Sequence, residues 1–181
     1  MIAIKKFNET DKEQISFLIN TFNSPDVKLF WSSDYHYVTH TKDSLTRMFD
    51  KNCGLYQIYL CYYNGVIGAM FLAFKMVPHF HRAYLSVYVD PKFRHSILTF
   101  CSWILFSKKI RANNIYRLYS TAYEYNVRSW KTMEQFSFEK VGEMPEFIYV
   151  NGKPYNQHVY SRTTQLTLLE REWLDRMNII Q

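Results

Sequence analysis

The sequence predicts one α+β domain, in which antiparallel hairpins precede a half that alternates strands and helices. Two Asn-Gly pairs, Asn64-Gly65 and Asn151-Gly152, each lie between alternating apolar runs. This is a strong hairpin signal, because both turn positions require positive φ. Between them, Arg82 to Arg111 reads as strand, basic turn and apolar helix. We expect residues 1–163 to form the body of the domain and residues 164–181 its C-terminal helical tail.

The first quarter of the chain is predicted to contain one strand and two helices. Residues Ile2 to Phe7 alternate as a strand, and Thr10 with Glu13 fits a capping box at the start of a helix. That helix carries apolar residues at helical spacing, namely Ile15, Leu18, Ile19 and Phe22. Residues Asn23 to His40 lack a clear period and indicate a loop, and a second helix is expected from about Thr41 to Lys51.

The middle of the chain predicts the first hairpin and the strand that follows it. Period-two alternation begins at Leu55 and ends at the Asn64-Gly65 turn, so Val66 to Met76 is the returning strand. A strand from Tyr84 to Val89 follows, and an apolar helix is predicted from about Ser96 to Ile110. This helix is apolar nearly all round, which is typical of a helix buried against a sheet.

The last third is predicted to alternate strand, helix, hairpin and helix. Residues Ile115 to Ala122 alternate as a strand, and Asn126 to Phe136 has an apolar helical face. Phe138 to Val150 and Pro154 to Thr163 form the second hairpin. The amphipathic stretch from Thr164 to Met177 predicts a terminal helix.

The charge of the chain favours an anionic partner. Lys and Arg number 22 against 16 Asp and Glu, a net charge of +6. Such a balance suits a phosphorylated cofactor, a nucleic acid or an acidic surface. The charges are scattered without a run of five, which favours a local phosphate site over a long nucleic-acid stripe.

The cysteines and the apolar stretches indicate a reduced, cytoplasmic protein. Three cysteines are an odd number without C-x-x-C spacing, so we expect free thiols and no metal site. The N-terminus lacks the apolar core of a signal peptide. The longest apolar stretch, Ile97 to Phe106, is too short to span a membrane.

A phosphate site is predicted where the basic turn meets the apolar helix. Arg94 and His95 immediately precede the helix start, and Lys92 lies in the same turn. The first N–H groups of a helix lack internal partners, and its dipole is positive at that end. We therefore expect Arg94 and His95 to contact phosphate.

Four stretches resemble the GNAT superfamily of N-acyltransferases, within it the branch of ribosomal-protein N-terminal and spermidine acetyltransferases. They are Asn64 to Gly68, Tyr84 to Thr99, Asn126 to Phe138, and Val141 to Glu143 with the Asn151 to Lys153 turn. The resemblance implies a mixed, mostly antiparallel sheet flanked by helices, with splayed fourth and fifth strands. It also implies acyl transfer, most simply from acetyl-CoA, to a primary amine by direct attack. A protein N-terminus, a polyamine, an amino sugar and another small amine all remain open as acceptors.

The resemblance also implies a role for individual residues. Main-chain groups of the fourth strand would hold the thioester and pantetheine arm, at Val87, Tyr88 and Val89. The pyrophosphate loop would fall on Arg94, His95, Ser96, Ile97, Leu98 and Thr99. Asn126 would contact the cofactor arm, or simply cap its helix. Ser129 would lie near the thiol leaving group, or be an ordinary polar position of the helix.

The chain departs from the family pattern at several positions. Ile97 and Thr99 replace both loop glycines, and Met133 stands where other branches have a catalytic tyrosine. The fourth strand supplies no carboxylate as general base. We therefore expect Glu124, at the end of the fifth strand, to remove the amine proton.

Two histidines and a second class of function remain as alternatives. His79 or His81 is the other candidate for the general base. The replaced glycines and the positive charge also allow a GNAT-fold binding or structural protein without transferase activity, associated with nucleic acid. Either protein is expected to be a monomer or a homodimer.

Overall fold

The structure is a computed structural model that describes residues 1–25, 27, 39–48, 56–94 and 96–176. The described strands are β1 (Ile2–Lys6), β2 (Tyr56–Tyr63), β3 (Val66–Val77), β4 (Arg82–Val89), β5 (Arg117–Tyr123), β6 (Glu139–Val150) and β7 (Lys153–Thr163). The described α-helices are α1 (Lys12–Asn23), α2 (Lys42–Met48), α3 (Ile97–Ala112), α4 (Val127–Gln135) and α5 (Leu168–Arg176). Short 3₁₀ turns, Pro78–Phe80 and Pro91–Phe93, lie on either side of β4.

The seven strands form one sheet in the order β1-β2-β3-β4-β5-β7-β6. Among the described strands, β4 and β5 are the one parallel pair, and the other neighbours are antiparallel. The β4–β5 register covers three residue pairs and ends at Tyr84 opposite Tyr119. Beyond that point β4 continues to Val89 and β5 to Tyr123, but these two strands no longer pair with each other and therefore diverge. The predicted α+β fold with splayed fourth and fifth strands is confirmed.

Both predicted hairpin turns are present. Asn64 and Gly65 have φ of 50° and 86°, and Asn151 and Gly152 have φ of 53° and 76°. Two consecutive positive φ angles match the right-handed twist of the flanking strands. The Asn-Gly pairs therefore place β3 on β2 and β7 on β6.

The sheet buries apolar side chains on both faces. One face packs against α3, of which Trp103, Ile104, Phe106 and Ile110 are fully buried. The indole of Trp103 stacks on Phe136 with ring centroids 5.2 Å apart. The other face packs against α1 through Leu18 and Phe22. The prediction that the apolar helix is buried against the sheet is confirmed, with Trp103 and Phe106 in the core.

A buried ion pair attaches α5 to the rest of the molecule. Arg162 Nη2 donates to Glu170 Oε2 at 2.6 Å, and both side chains are nearly inaccessible to solvent. Trp103 Nε1 donates to the other carboxylate oxygen at 2.9 Å. Thr167 and Glu170 exchange backbone-to-side-chain hydrogen bonds of 3.2 and 2.8 Å, which is a capping box. The C-terminal helix is therefore held by polar contacts made inside the core.

The predicted capping box at the first helix is wrong. Asp11 is the N-cap residue of α1, and its carboxylate accepts hydrogen bonds from the N–H groups of Glu13 and Gln14. The hydroxyl of Thr10 instead donates to Asn8 Oδ1 at 2.9 Å. The helix begins one residue later than predicted, because the Asp11 carboxylate satisfies two of its free N–H groups.

The described residues include part of the predicted second helix and of the loop before it. The predicted second helix is present as α2, and its expected last turn to Lys51 lies outside the described residues, as do Leu55 and most of the predicted loop.

Cys61 and Cys101 are free and buried, and burial raises the pKa of Cys61 to about 12, which keeps it a neutral thiol. No described helix is long and apolar enough to cross a membrane.

Candidate functional site

The divergence of β4 and β5 opens a cleft of about 880 Å³. Its walls are the ends of these two strands, the start of α3 and one side of α4. Ligand sites of small molecules occupy such clefts and commonly measure about 300–1,000 Å³. The cleft is therefore large enough for an extended small molecule.

Main-chain groups of β4 form one wall of the cleft. The N–H of Asp90 donates to Gly68 O on β3, so alternate residues of this strand hydrogen-bond to β3. The main-chain groups of Val87 and Val89 consequently point toward the gap left by β5. Arg94 Nε donates to Val89 O at 2.9 Å, which holds the guanidinium against the end of this strand.

The N-terminus of α3 forms the next wall. Asp90 accepts from the N–H of Lys92 and starts the short turn before the helix. The hydroxyls of Ser96 and Thr99 both donate to Phe93 O, at 2.6 and 3.0 Å. Within the described residues, no side chain therefore caps the first turn of α3. The uncapped N–H groups and the positive end of the helix dipole lie beside the cleft.

Gly68 on β3 allows this turn to pack closely. A Cβ atom at Gly68 would lie 2.2 Å from Tyr63 Cδ2 and 2.6 Å from Phe93 Cδ2. Tyr63 and Phe93 are in ring contact, and the Tyr63 hydroxyl lies 2.7 Å from Ser102 Oγ on α3. The absence of a side chain at Gly68 thus sets the position of the loop that carries Arg94.

The start of α4 supplies polar groups to the opposite wall. Asn126 caps this helix, and its Oδ1 accepts from the N–H of Ser129 at 3.1 Å. The predicted capping role is confirmed, and both residues also line the cleft. Met133 is nearly fully buried at the back of the same wall.

Comparison with solved structures identifies this architecture. An acetyltransferase of the GNAT family from Streptococcus pneumoniae aligns with a TM-score of 0.69 and 17% identity, covering 90% of this chain and 99% of that one. The chain has the GNAT fold. The ribosomal alpha-N-protein acetyltransferase RimL, in complex with coenzyme A, gives a TM-score of 0.72 at 16% identity, with coverage of 90% and 93%. Spermidine N-acetyltransferase from Vibrio cholerae, in complex with CoA and spermine, gives 0.71 at 12% identity, with coverage of 90% and 95%.

The likeness to these proteins lies in the fold more than in the sequence. No protein-family model matches the sequence, and no curated protein matches it significantly. The solved structures compared share the GNAT fold with this chain at sequence identities of 18% or less.

The GNAT fold brings most of the predicted site residues to one cleft. Those that line it are Val87, Tyr88, Val89, Arg94, Ser96, Ile97, Thr99, Asn126 and Ser129. Leu98 does not line it and instead packs against the core under α3. His95 lies outside the described residues. Lining a cleft is compatible with cofactor contact, which stays a prediction for each of these residues.

The candidates for the general base, which are Glu124, His79 and His81, do not line the cleft. Glu124 is exposed, and its carboxylate accepts from the N–H of Asn156 at 3.2 Å without lining the cleft. His79 and His81 lie beside the start of β4, whereas the cleft opens at its end. The role of Glu124 stays a prediction, and a water molecule would have to connect it to the amine.

The side of the cleft that faces α1 contains four aromatic residues that sequence reasoning missed, namely Phe22, Tyr56, Phe74 and Tyr123. His40, which the sequence offered either as a loop histidine or as a substrate contact, lines the cleft with them. His40 is 6% exposed, and the side chain of Asn23 holds its backbone N–H and C=O through two hydrogen bonds of 2.8 Å. The sequence carries no local signal for this assembly, because its members come from five separate segments.

Proposed function

We propose that the chain is an acyl-CoA-dependent N-acyltransferase that moves an acetyl group from acetyl-CoA to a primary amine. The observation that carries the proposal is the cleft between diverging β4 and β5, where strand main-chain groups and an uncapped helix N-terminus meet. Solved proteins of the same fold contain CoA or acetyl-CoA, which supports the choice of cofactor. The acceptor is a protein N-terminus, a polyamine, an amino sugar or another small amine.

In this proposal the phosphates of CoA bind at the start of α3. Arg94 supplies positive charge and His95 a ring N–H, and the N–H groups at the start of the first turn, from Ser96 through Leu98, supply further hydrogen-bond donors. The pantetheine arm extends along Val87 to Val89 and adds hydrogen bonds to the free edge of β4. Asn126, through its side-chain amide, contacts the same arm from α4.

Acyl transfer then proceeds mainly by positioning the two reactants. Glu124 removes a proton from the ammonium through water, and the amine nitrogen attacks the thioester carbon. A backbone N–H of β4 stabilises the oxyanion of the tetrahedral intermediate. The carbon–sulfur bond breaks and the amide forms as the second proton of the amine nitrogen passes through the Ser129 hydroxyl to the departing thiolate.

Ligand binding and turnover test the proposal separately. Acetyl-CoA at 100 times its Kd should raise the free energy of unfolding by about 2.7 kcal/mol, which a thermal-shift series detects. Native mass spectrometry of the purified protein should reveal co-purified CoA. Release of free thiol from acetyl-CoA, measured with a panel of peptides, polyamines and amino sugars, identifies the acceptor. No stabilisation at millimolar acetyl-CoA would contradict the proposal.

Arg94→Ala tests the phosphate site directly. Loss of one charged phosphate contact should weaken CoA binding by about 10- to 150-fold, because charge-assisted hydrogen bonds are worth about 1.5–3 kcal/mol. Arg171→Ala on the exposed side of α5 is the matched control and should leave CoA affinity unchanged. Equal CoA affinity of the two variants would refute the assignment of Arg94.

A binding or structural protein without transferase activity is the second candidate. Ile97 and Thr99 both line the cleft at the first turn of α3, where β-branched side chains restrict the approach of a phosphate. This candidate is favoured if millimolar acetyl-CoA produces no thermal shift and the protein binds short DNA in a salt-sensitive way. Acetyl transfer to any amine of the panel would reject this candidate.

A further inference from the structure

A second cavity lies at the opposite end of β4 and β5 from the cleft. It is open, measures about 540 Å³, and forms where both strands begin. Arginine, histidine and aromatic side chains line it, and its lining residues include no carboxylate in the described part of the chain. The proposed acyl transfer does not use this cavity.

Two arginines from neighbouring strands line this cavity. Arg82 and Arg117 are direct neighbours in the parallel β4–β5 register. The adjacent pair, Ala83 and Leu118, is buried in the core beneath α3, so both arginines point to the other face of the sheet.

Arg82 and Arg117 bring two positive charges to neighbouring strands of the sheet. Two like charges at neighbouring positions repel each other. Arg117 donates to Ser161 Oγ at 3.0 Å, but among the described residues neither guanidinium forms an ion pair. An anion that bridges Arg82 and Arg117 would remove the repulsion.

Exposed aromatic rings flank the two arginines. Phe80 is 63% exposed and Tyr116 is 41% exposed. The guanidinium of Arg82 lies 5.3 Å from the Phe80 ring centroid, and that of Arg111 lies 5.0 Å from the Tyr116 ring centroid. Flat π surfaces therefore alternate with positive charges along this end of the sheet.

The backbone holds this arrangement in place before any ligand binds. His81 has a φ of 54°, which is unusual for a residue other than glycine. Its carbonyl accepts from the N–H groups of Tyr116 and Arg117, at 2.8 and 3.0 Å. Its ring stacks on Tyr116 at 4.8 Å, and its Nδ1 lies 2.8 Å from Asn114 O. Backbone strain of this kind persists where the surroundings enforce it, commonly at binding sites.

We propose that this surface binds single-stranded nucleic acid. Arg82 and Arg117 hold one phosphate, Arg111 holds a neighbouring one, a base stacks on the exposed ring of Phe80, and the exposed edge of Tyr116 adds aromatic contact beside it. Alternating cations and exposed rings suit a strand whose phosphates alternate with unstacked bases. An acidic peptide would satisfy the arginines and leave the rings without a partner. The site is independent of the proposed acyl transfer.

Fluorescence anisotropy with a labelled short oligonucleotide tests the site across a range of salt concentrations. Saturating CoA is present throughout, so that nucleotide binding in the cleft does not contribute. The double variant Arg82→Gln/Arg117→Gln should weaken binding about 10-fold and flatten the slope of log K against log salt by about 0.7 for each lost phosphate contact. The control, Arg171→Gln/Arg176→Gln, removes the same charge from exposed positions of α5, on the other face, and should bind as the parent chain does.

The aromatic rings are tested in the same assay. Phe80→Ala/Tyr116→Ala should weaken binding by about 5- to 100-fold for each stacked base, with an unchanged salt slope. Duplex of the same sequence, a mononucleotide and inorganic polyphosphate should all bind more weakly than the single strand. The proposal is overturned if the arginine variant binds like its control, if the ring variant binds like the parent chain, or if any of these three competitors binds as tightly.

Discussion

Replacement of Glu170 by glutamine should be among the most destabilising single changes in this protein. The carboxylate is 2% exposed and accepts from Arg162 Nη2 at 2.6 Å, from Trp103 Nε1 at 2.9 Å and from Thr167 N at 2.8 Å. Glutamine has one oxygen and an NH₂ group in place of the second. At least one of these donors would therefore face another donor, and the buried charge of Arg162 would lose its partner.

The expected cost follows from these contacts. Removal of one partner from a buried ion pair costs about 3–5 kcal/mol. The buried N–H of Trp103, if left unsatisfied, costs about 1–3 kcal/mol, and this overlaps with the first loss. We expect Glu170→Gln to lower the free energy of unfolding by about 4 kcal/mol, a large share of the about 5–15 kcal/mol typical of a domain. For a chain of this size, the Tm should fall by about 10 °C.

Urea unfolding followed by circular dichroism measures this cost from the shift in midpoint at constant m-value. Glu172→Gln, on the exposed side of the same helix, is the control and should change stability by less than about 0.5 kcal/mol. The double variant Arg162→Met/Glu170→Leu should be more stable than Glu170→Gln, because it removes both buried charges. The reasoning would be refuted by a Glu170→Gln variant whose free energy of unfolding lies within about 1 kcal/mol of that of the control, because an average point mutation already costs that much.

Four further outcomes are expected. Burial raises the pKa of Glu170, but hydrogen bonds from Arg162, Thr167 and Trp103 outweigh this and lower it overall. The contribution of ionised Glu170 to the free energy of unfolding should be complete above the ordinary carboxyl pKa of about 4.3 and should be lost as pH falls through the lower pKa of the folded state. Glu170→Gln should therefore remove this part of the dependence of stability on pH. Gly68→Ala should cost about 1–3 kcal/mol and weaken CoA binding, because its Cβ would displace Tyr63 and Phe93. Ser137→Gly should stabilise the chain by about 0.5–1 kcal/mol, since Ser137 ends α4 with a φ of 57°. Glu124→Gln should lower kcat for acetyl transfer about 100-fold or more while leaving the Kd of CoA unchanged.

Each of these outcomes has a measurement that would contradict it. A Glu170→Gln variant with the acid titration of the parent chain would contradict the pH argument. Unchanged urea midpoints for Gly68→Ala or Ser137→Gly would contradict the packing and φ arguments. An unchanged kcat for Glu124→Gln would remove this carboxylate from the mechanism and direct the search for a base toward His40, which lines the cleft.

Local sequence signals predicted the elements because their causes are local. The Asn-Gly pairs at Asn64 and Asn151 produce two positive φ angles whatever the rest of the chain does. Capping of α4 was one of the two roles that the sequence offered for Asn126, and its side chain does cap the helix through the nearby N–H of Ser129. The misplaced start of α1 had a local cause too, since Thr10 and Asp11 are both good N-cap residues and only the carboxylate reaches two N–H groups.

By itself, the sequence determined the order of strands and helices, the buried nature of α3 and the basic turn that precedes it. Only the tertiary structure decided which residues share a site. The pairing of β4 with β5 stops at Tyr84, which opens the cleft, and the same register places Arg82 beside Arg117. Contacts of this kind join residues far apart in the chain, as Glu170 and Trp103 are, and depend on strand register and helix packing that no short segment encodes.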